Sequence, residues 1–154
     1  MNEEQQDFLD DAVNELKRVE HLVFVSLKYT RTVDVLLNII SRQIDGYEAM
    51  WNALLTKLVE EKKIPSIPEA PVPRANALMQ HYMQHPEILE NVELYILLRK
   101  LHRSNPEREQ EFRRHVAMRT VIDGREEVVN IDIITQYAQI QKEFVKWLYT
   151  FLEK

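Results

Sequence analysis

The sequence predicts an all-α fold: an antiparallel helical bundle with long N-terminal helices and a small β-hairpin near residues 115–131. Three observations carry this expectation. Apolar residues recur at the three- and four-residue spacing of an amphipathic helix along most of the chain. Only two glycines, Gly46 and Gly124, occur in 154 residues, which implies few tight turns and long helices. The pattern changes character only between His115 and Ile131, where Val, Ile and Thr gather on either side of Asp123-Gly124.

Each element follows from its own pattern. Phe8/Leu9, Ala12/Val13, Leu16, Val19, Leu22/Val23 and Ser26/Leu27 mark the first helix, and its nearly all-apolar stretch Leu22–Val25 predicts burial in the centre of the bundle. Val33, Leu36/Leu37, Ile40, Ile44, Tyr47, Trp51, Leu54/Leu55 and Leu58 mark the second. A break is expected at Tyr29-Thr30-Arg31-Thr32, where either threonine can cap a helix start. Without it, one helix would run about 85 Å, too long for a compact domain. Residues 64–73 hold Pro65, Pro68, Pro71 and Pro73 and read as a stiff extended crossover rather than as a ligand for a proline-binding module. A short helix is expected from Arg74 to Gln84, then a longer one opened by Pro86, with a core-like Leu94–Leu98 run. Ser104-Asn105-Pro106-Glu107 has the residues of a helix start, so a polar surface helix is expected from Pro106 to about Arg114. The hairpin follows. Asp132 is placed to cap a last helix whose face is Ile133, Tyr137, Ile140, Phe144, Trp147/Leu148 and Phe151.

The whole chain, 1–154, fits one domain large enough for a sizeable core. Without cysteine it has no disulfide, thiolate metal site or cysteine nucleophile. That is compatible with a reducing cytosol, and a cytoplasmic location is expected. The polar start Met-Asn-Glu-Glu-Gln-Gln-Asp lacks the features of a signal peptide, and no run is apolar enough for a membrane span.

Catalytic and metal signatures are sparse. No histidine has a glutamate three residues before it, which removes the di-iron bundle pattern. His81 and His85 share a helical spacing, but Pro86 disfavours helix at His85 and no third ligand is near in sequence; neither a metal nor another cofactor is expected. There is no glycine-rich phosphate loop and no serine in a nucleophile elbow. Asp10, Asp11 and Glu15 read as a solvated acidic helix start.

Charge is the remaining lead. The chain carries a net −5, yet seven of its eleven arginines lie between Arg99 and Arg125, a segment with eight basic and four acidic residues. Three readings stay open. Arg113, Arg114 and Arg119 could hold phosphate or nucleic acid, since guanidinium forks bind phosphate bidentately. The segment could instead pair with the acidic stretch Glu3–Glu20, or form part of a mixed solvated surface.

The helical layout, with the phrases His21-Leu22-Val23-Phe24-Val25-Ser26 and Phe112-Arg113-Arg114-His115-Val116, resembles the HEPN-like helical-bundle proteins of prokaryotes and archaea. By topology the resemblance spans the whole chain. Nucleases of that kind carry an arginine, four to six residues, then a histidine; Arg108 and His115 fit with six residues between them, and so do Arg74 and His81. The residue after the arginine, usually asparagine or another polar group there, is Glu109 here. The resemblance implies a metal-independent ribonuclease, with Arg108 clamping phosphate and His115 as acid/base, or a bundle that only binds. The absence of catalytic motifs favours the second: a non-enzymatic binding or adaptor protein. Its expected partners are a second copy of itself or another helical protein, with RNA or a nucleotide as alternative ligand and no membrane.

Overall fold

The structure, a computed structural model, describes residues 1–153. Its first element is one helical rod. Asn2 opens helix α1 (Glu3–His21) through a reciprocal capping box with Gln5. The buried positions Gln5, Leu9, Ala12, Leu16, Val19 and Val23 alternate steps of four and three residues. A further step of three would bury Ser26. Leu27 is buried instead, and a π turn (Leu22–Ser26) absorbs the extra residue before α2 (Leu27–Tyr29). This corrects the expectation for Leu22–Val25. Val23 is in the core, but Phe24 is 65% exposed and Val25 40% exposed, because both lie off the stripe that runs from Gln5 to Val23.

The chain breaks at Thr30–Thr32, as the sequence predicts. Thr32 Oγ1 then caps α3 (Val33–Glu60) by accepting from the Val35 amide at 3.3 Å. This helix is the hub of the molecule. It is packed by α1, by α4 (Pro71–His81), by α5 (Pro86–Arg103) and by α6 (Ile131–Glu153), and it buries fifteen of its twenty-eight residues. Gln5 of α1 bonds Glu60 of α3, while Glu15 faces Arg42, so these two helices run antiparallel. Gln141 of α6 donates to the Gln43 carbonyl at 2.9 Å, and Phe144 packs near Tyr47 and Trp51.

The core centres on stacked Tyr47 and Trp51, 5.2 Å apart, with Tyr95 edge-on to both. Tyr47 donates its hydroxyl to Asn91 Oδ1 at 2.6 Å, and Asn91 Nδ2 donates to the Glu87 carbonyl. Burial pushes the Tyr47 phenol well above its ordinary pKa.

Four boundaries differ from the sequence expectation. The crossover is shorter than 64–73, because α4 begins at Pro71; prolines are tolerated in a first helical turn, where the amide has no intrahelical partner. The surface helix expected over Pro106–Arg114 is instead strand β1 (Glu107–Glu109) and an irregular turn. That segment has Phe112 as its sole large apolar side chain, too little to hold a short helix, whereas β1 gains a ladder on β2 (Ala117–Ile122). With β3 (Arg125–Asn130), the expected hairpin becomes a three-stranded antiparallel sheet in the order β1-β2-β3. The molecule is therefore predominantly helical but not all-α. Finally, Asn130 rather than Asp132 caps α6, its Oδ1 accepting from the Ile133 amide at 2.8 Å. The deeply buried stripe of α6 is Ile134, Gln141, Phe144, Val145, Leu148 and Leu152, while Ile140 is 44% exposed.

The sheet sits at the end of the assembly where α3 begins, with Val116, Met118 and Val129 turned into the core. At the hairpin tip, Asp123 and Gly124 have φ of 51° and 79°, both in the left-handed region that a two-residue type I′ turn requires.

Candidate functional site

The basic segment is divided by the structure into two sets. Arg99 pairs with Glu48 at 3.5 Å and Lys100 with Asp123 at 2.6 Å. Arg108 on β1 donates to Asp34 at 2.8 Å and lies 3.7 Å from Glu111. Arg119 on β2 is held by Glu109 at 2.9 Å and by Glu126. Hydrogen bonds to Asp34 and to Glu126 raise the pKa of Arg108 and Arg119, respectively, above the usual arginine value. These partners lie on α3 and on the sheet and its adjoining turns, so pairing with Glu3–Glu20 is not what the structure shows. That acidic stretch bonds Arg18, Arg42, Lys142 and Tyr149 instead.

The second set is free of such pairing. Arg103, Arg113, Arg114 and Arg125 have no carboxylate partner among the described residues. Arg114 and His115 leave the turn between β1 and β2 and line a polar cleft of about 280 Å³ with Arg31, Asn130, Ile131 and Asp132.

Two contacts assemble this cleft. The Phe112 amide donates to the Arg31 carbonyl at 2.6 Å, and the Glu111 carboxylate accepts from the Val33 amide at 3.1 Å, at the start of α3. Together they fasten the turn to the break between α2 and α3. The turn pays in backbone conformation, since Gln110 and Phe112 have φ of 54° and 66°, uncommon for residues other than glycine. The result is a Phe112 side chain that is 78% exposed, close in the chain to Arg113, Arg114 and His115. Arg31 is held by the end of the preceding helix α2, its Nε donating to the Leu27 carbonyl at 3.1 Å. Its terminal nitrogens remain without a carboxylate partner among the described residues.

The residues read from the sequence thus separate. His115 and Arg114 share the cleft. Arg113 is exposed beside it but does not line it. Arg108, expected to act with His115, is turned to Asp34 and Glu111 and does not line it either. Arg119 is engaged on the sheet. Arg31 and Asp132 were missed, although Arg31 lies in the helix break the sequence marks; nothing local in sequence links that break to His115.

His85 stacks edge-on against Phe151 at 4.8 Å and lies outside the helical part of α4, so it and His81 do not share a helical face. Among the described residues, no cluster of three His, Asp or Glu is placed to hold a metal ion, and no helix is long and apolar enough to cross a membrane. No family model, curated protein or solved structure matches the chain.

Proposed function

We propose that the chain is a non-catalytic binding module that takes a phosphate-bearing ligand, best fitted by single-stranded RNA, in the cleft at the sheet end. The observation that carries this reading is the meeting of Arg31, Arg114 and His115 in one cleft, beside a phenylalanine held out into solvent. Two guanidinium groups without carboxylate partners supply bidentate donors for phosphodiester oxygens. The exposed Phe112 ring offers a stacking surface for a base, which single-strand binders use without reading sequence. Asp132 at the rim can accept from a ribose hydroxyl. A HEPN-like ribonuclease is the less favoured form, because its clamp, Arg108, is committed to Asp34.

Fluorescence anisotropy with a labelled oligoribonucleotide at low salt tests the proposal. Arg31→Ala and Arg114→Ala should each weaken binding and reduce its salt dependence by about one released counterion. Phe112→Ala should cost about 1–3 kcal/mol. Arg108→Ala should change little. No binding at low salt, or an equal loss from Arg108→Ala, overturns the proposal. RNA cleavage that His115→Ala abolishes would restore the catalytic reading.

A second observation favours a further role in self-association. The π turn and α2 expose Phe24 and Tyr29, at 65% and 80%, with Val25 between them. Large apolar side chains left exposed on one short segment are what a helical partner can bury. Sedimentation should then show a dimer that Phe24→Ser dissociates.

A further inference from the structure

A separate groove, with residues unrelated to the cleft, lies between α4 and α5. It is an open trough of about 250 Å³, lined by Pro71, Val72, Ala75, Asn76, Tyr95, Ile96 and, further along α5, by Arg99, Lys100 and Arg103. The lining is graded along α5. Tyr95 and Ile96 form an apolar floor, and the next turns of the same face carry the three cations. Across from Ile96, Val72 is 68% exposed in the first turn of α4, an aliphatic side chain with no protein neighbour covering it.

The cations are not equivalent. Lys100 is held by Asp123, 2.6 Å away. Arg99 is shared between Glu48, at 3.5 Å, and the face of the Tyr95 ring, 5.8 Å from its centroid. The Tyr95 hydroxyl is itself committed to Glu48 at 2.9 Å. Arg103 has no carboxylate partner among the described residues. Cations in the last turn of a helix complement its dipole, which accounts for Lys100 and Arg103 on α5. It does not account for an open apolar trough leading up to them.

We propose that this groove binds a small amphiphilic anion, a carboxylate on a short hydrocarbon chain. The head group is received by Arg103 with Arg99 beside it, and the chain lies on Ile96, Ala75 and Val72. Charge complementarity selects the head: the groove presents three cations, of which one is unpaired and one only loosely paired. The size of the trough suits a short tail. At roughly 30 Å³ for each water-sized group, the groove has room for about eight, the size of a medium-chain carboxylate rather than of a two-tailed lipid.

Titration calorimetry of the full chain with sodium octanoate tests this assignment, with octanol as the uncharged comparison. Saturable single-site binding of octanoate is expected, with octanol about tenfold weaker or worse. Arg103→Glu and Val72→Asp, both at exposed positions, should each weaken octanoate by about tenfold or more. Arg113→Glu makes the same charge change away from the groove and should leave it unchanged. The assignment is overturned if octanoate shows no saturable binding, if octanol binds equally well, or if Arg113→Glu weakens binding as much as Arg103→Glu. It is also overturned if an acidic Glu/Leu peptide binds here in preference to octanoate, which would make the groove a protein-docking surface.

Discussion

Gly46 and Tyr47 are neighbours on α3 with opposite expectations. A Cβ built on Gly46 would meet Leu16 Cδ2 at 3.5 Å, Glu15 Cβ at 3.7 Å and Gln141 Nε2 at 3.9 Å, all ordinary contacts. The glycine is therefore not required by close packing, and in a helix interior it costs backbone entropy. Gly46→Ala should stabilise the protein by about 0.5–1 kcal/mol, read as a higher urea midpoint with an unchanged slope. Tyr47 is fully buried and its hydroxyl is the hydrogen-bond donor to Asn91 Oδ1. Tyr47→Phe keeps the stacked ring but strands that acceptor, and should cost about 1–3 kcal/mol in the same measurement. An unchanged midpoint in Tyr47→Phe would mean that Asn91 finds another donor.

At the scale of elements, what could be read in advance divides along the line between local and non-local causes. The two long helices, their break at Thr30–Thr32, the proline that opens α5 and the Asp123-Gly124 turn are all legible, because each rests on spacing or turn chemistry within a few residues. The strand β1 is not legible. Ser104-Asn105-Pro106-Glu107 is a sound helix start, but the outcome was decided by the edge of β2, which offers a ladder to Glu107–Glu109. The candidate site shows the same division. Arg114 and His115 stand out in sequence, whereas Arg31 joins them only because the Phe112 amide reaches its carbonyl across the fold. The apolar run at Leu22–Val25 departs from its expected burial for a related reason: hydrophobicity alone does not fix which face meets the core, and only Val23 of the run is fully on it.

At the scale of the whole molecule, the helices are tied together by tyrosines. Tyr47, Tyr82, Tyr95, Tyr137 and Tyr149 are all raised above the ordinary phenol pKa of 10.0, mainly by burial. Tyr149 reaches about 12, with burial as the larger cause and its hydrogen bond to Asp10 as the next. A raised folded-state pKa favours the protonated phenol in the native protein. Its contribution is complete below the unfolded pKa, near 10, and is lost as pH climbs from there through the folded value. Stability should therefore hold on the neutral side of pH 10 and fall above it. Tyr149→Phe should flatten part of the decline between pH 10 and about 12. Urea midpoints measured across that range check this; a flat profile in the wild-type protein would contradict it.

The π turn has a consequence for chain length. It holds one residue more than the alternating four-and-three stagger of the buried positions calls for. Deleting Phe24 brings Leu27 into the place that Ser26 would have taken, and both flanking stripes still face α3. Deleting a residue from the middle of α3 is different, because it rotates one half of that helix against the other by about 100°. Circular dichroism and thermal melting should find the Phe24 deletion folded, with near-native helix content, and a deletion at Ala49, near the middle of α3, unfolded. The rod tolerates a frame shift at this turn, and the hub helix beside it does not.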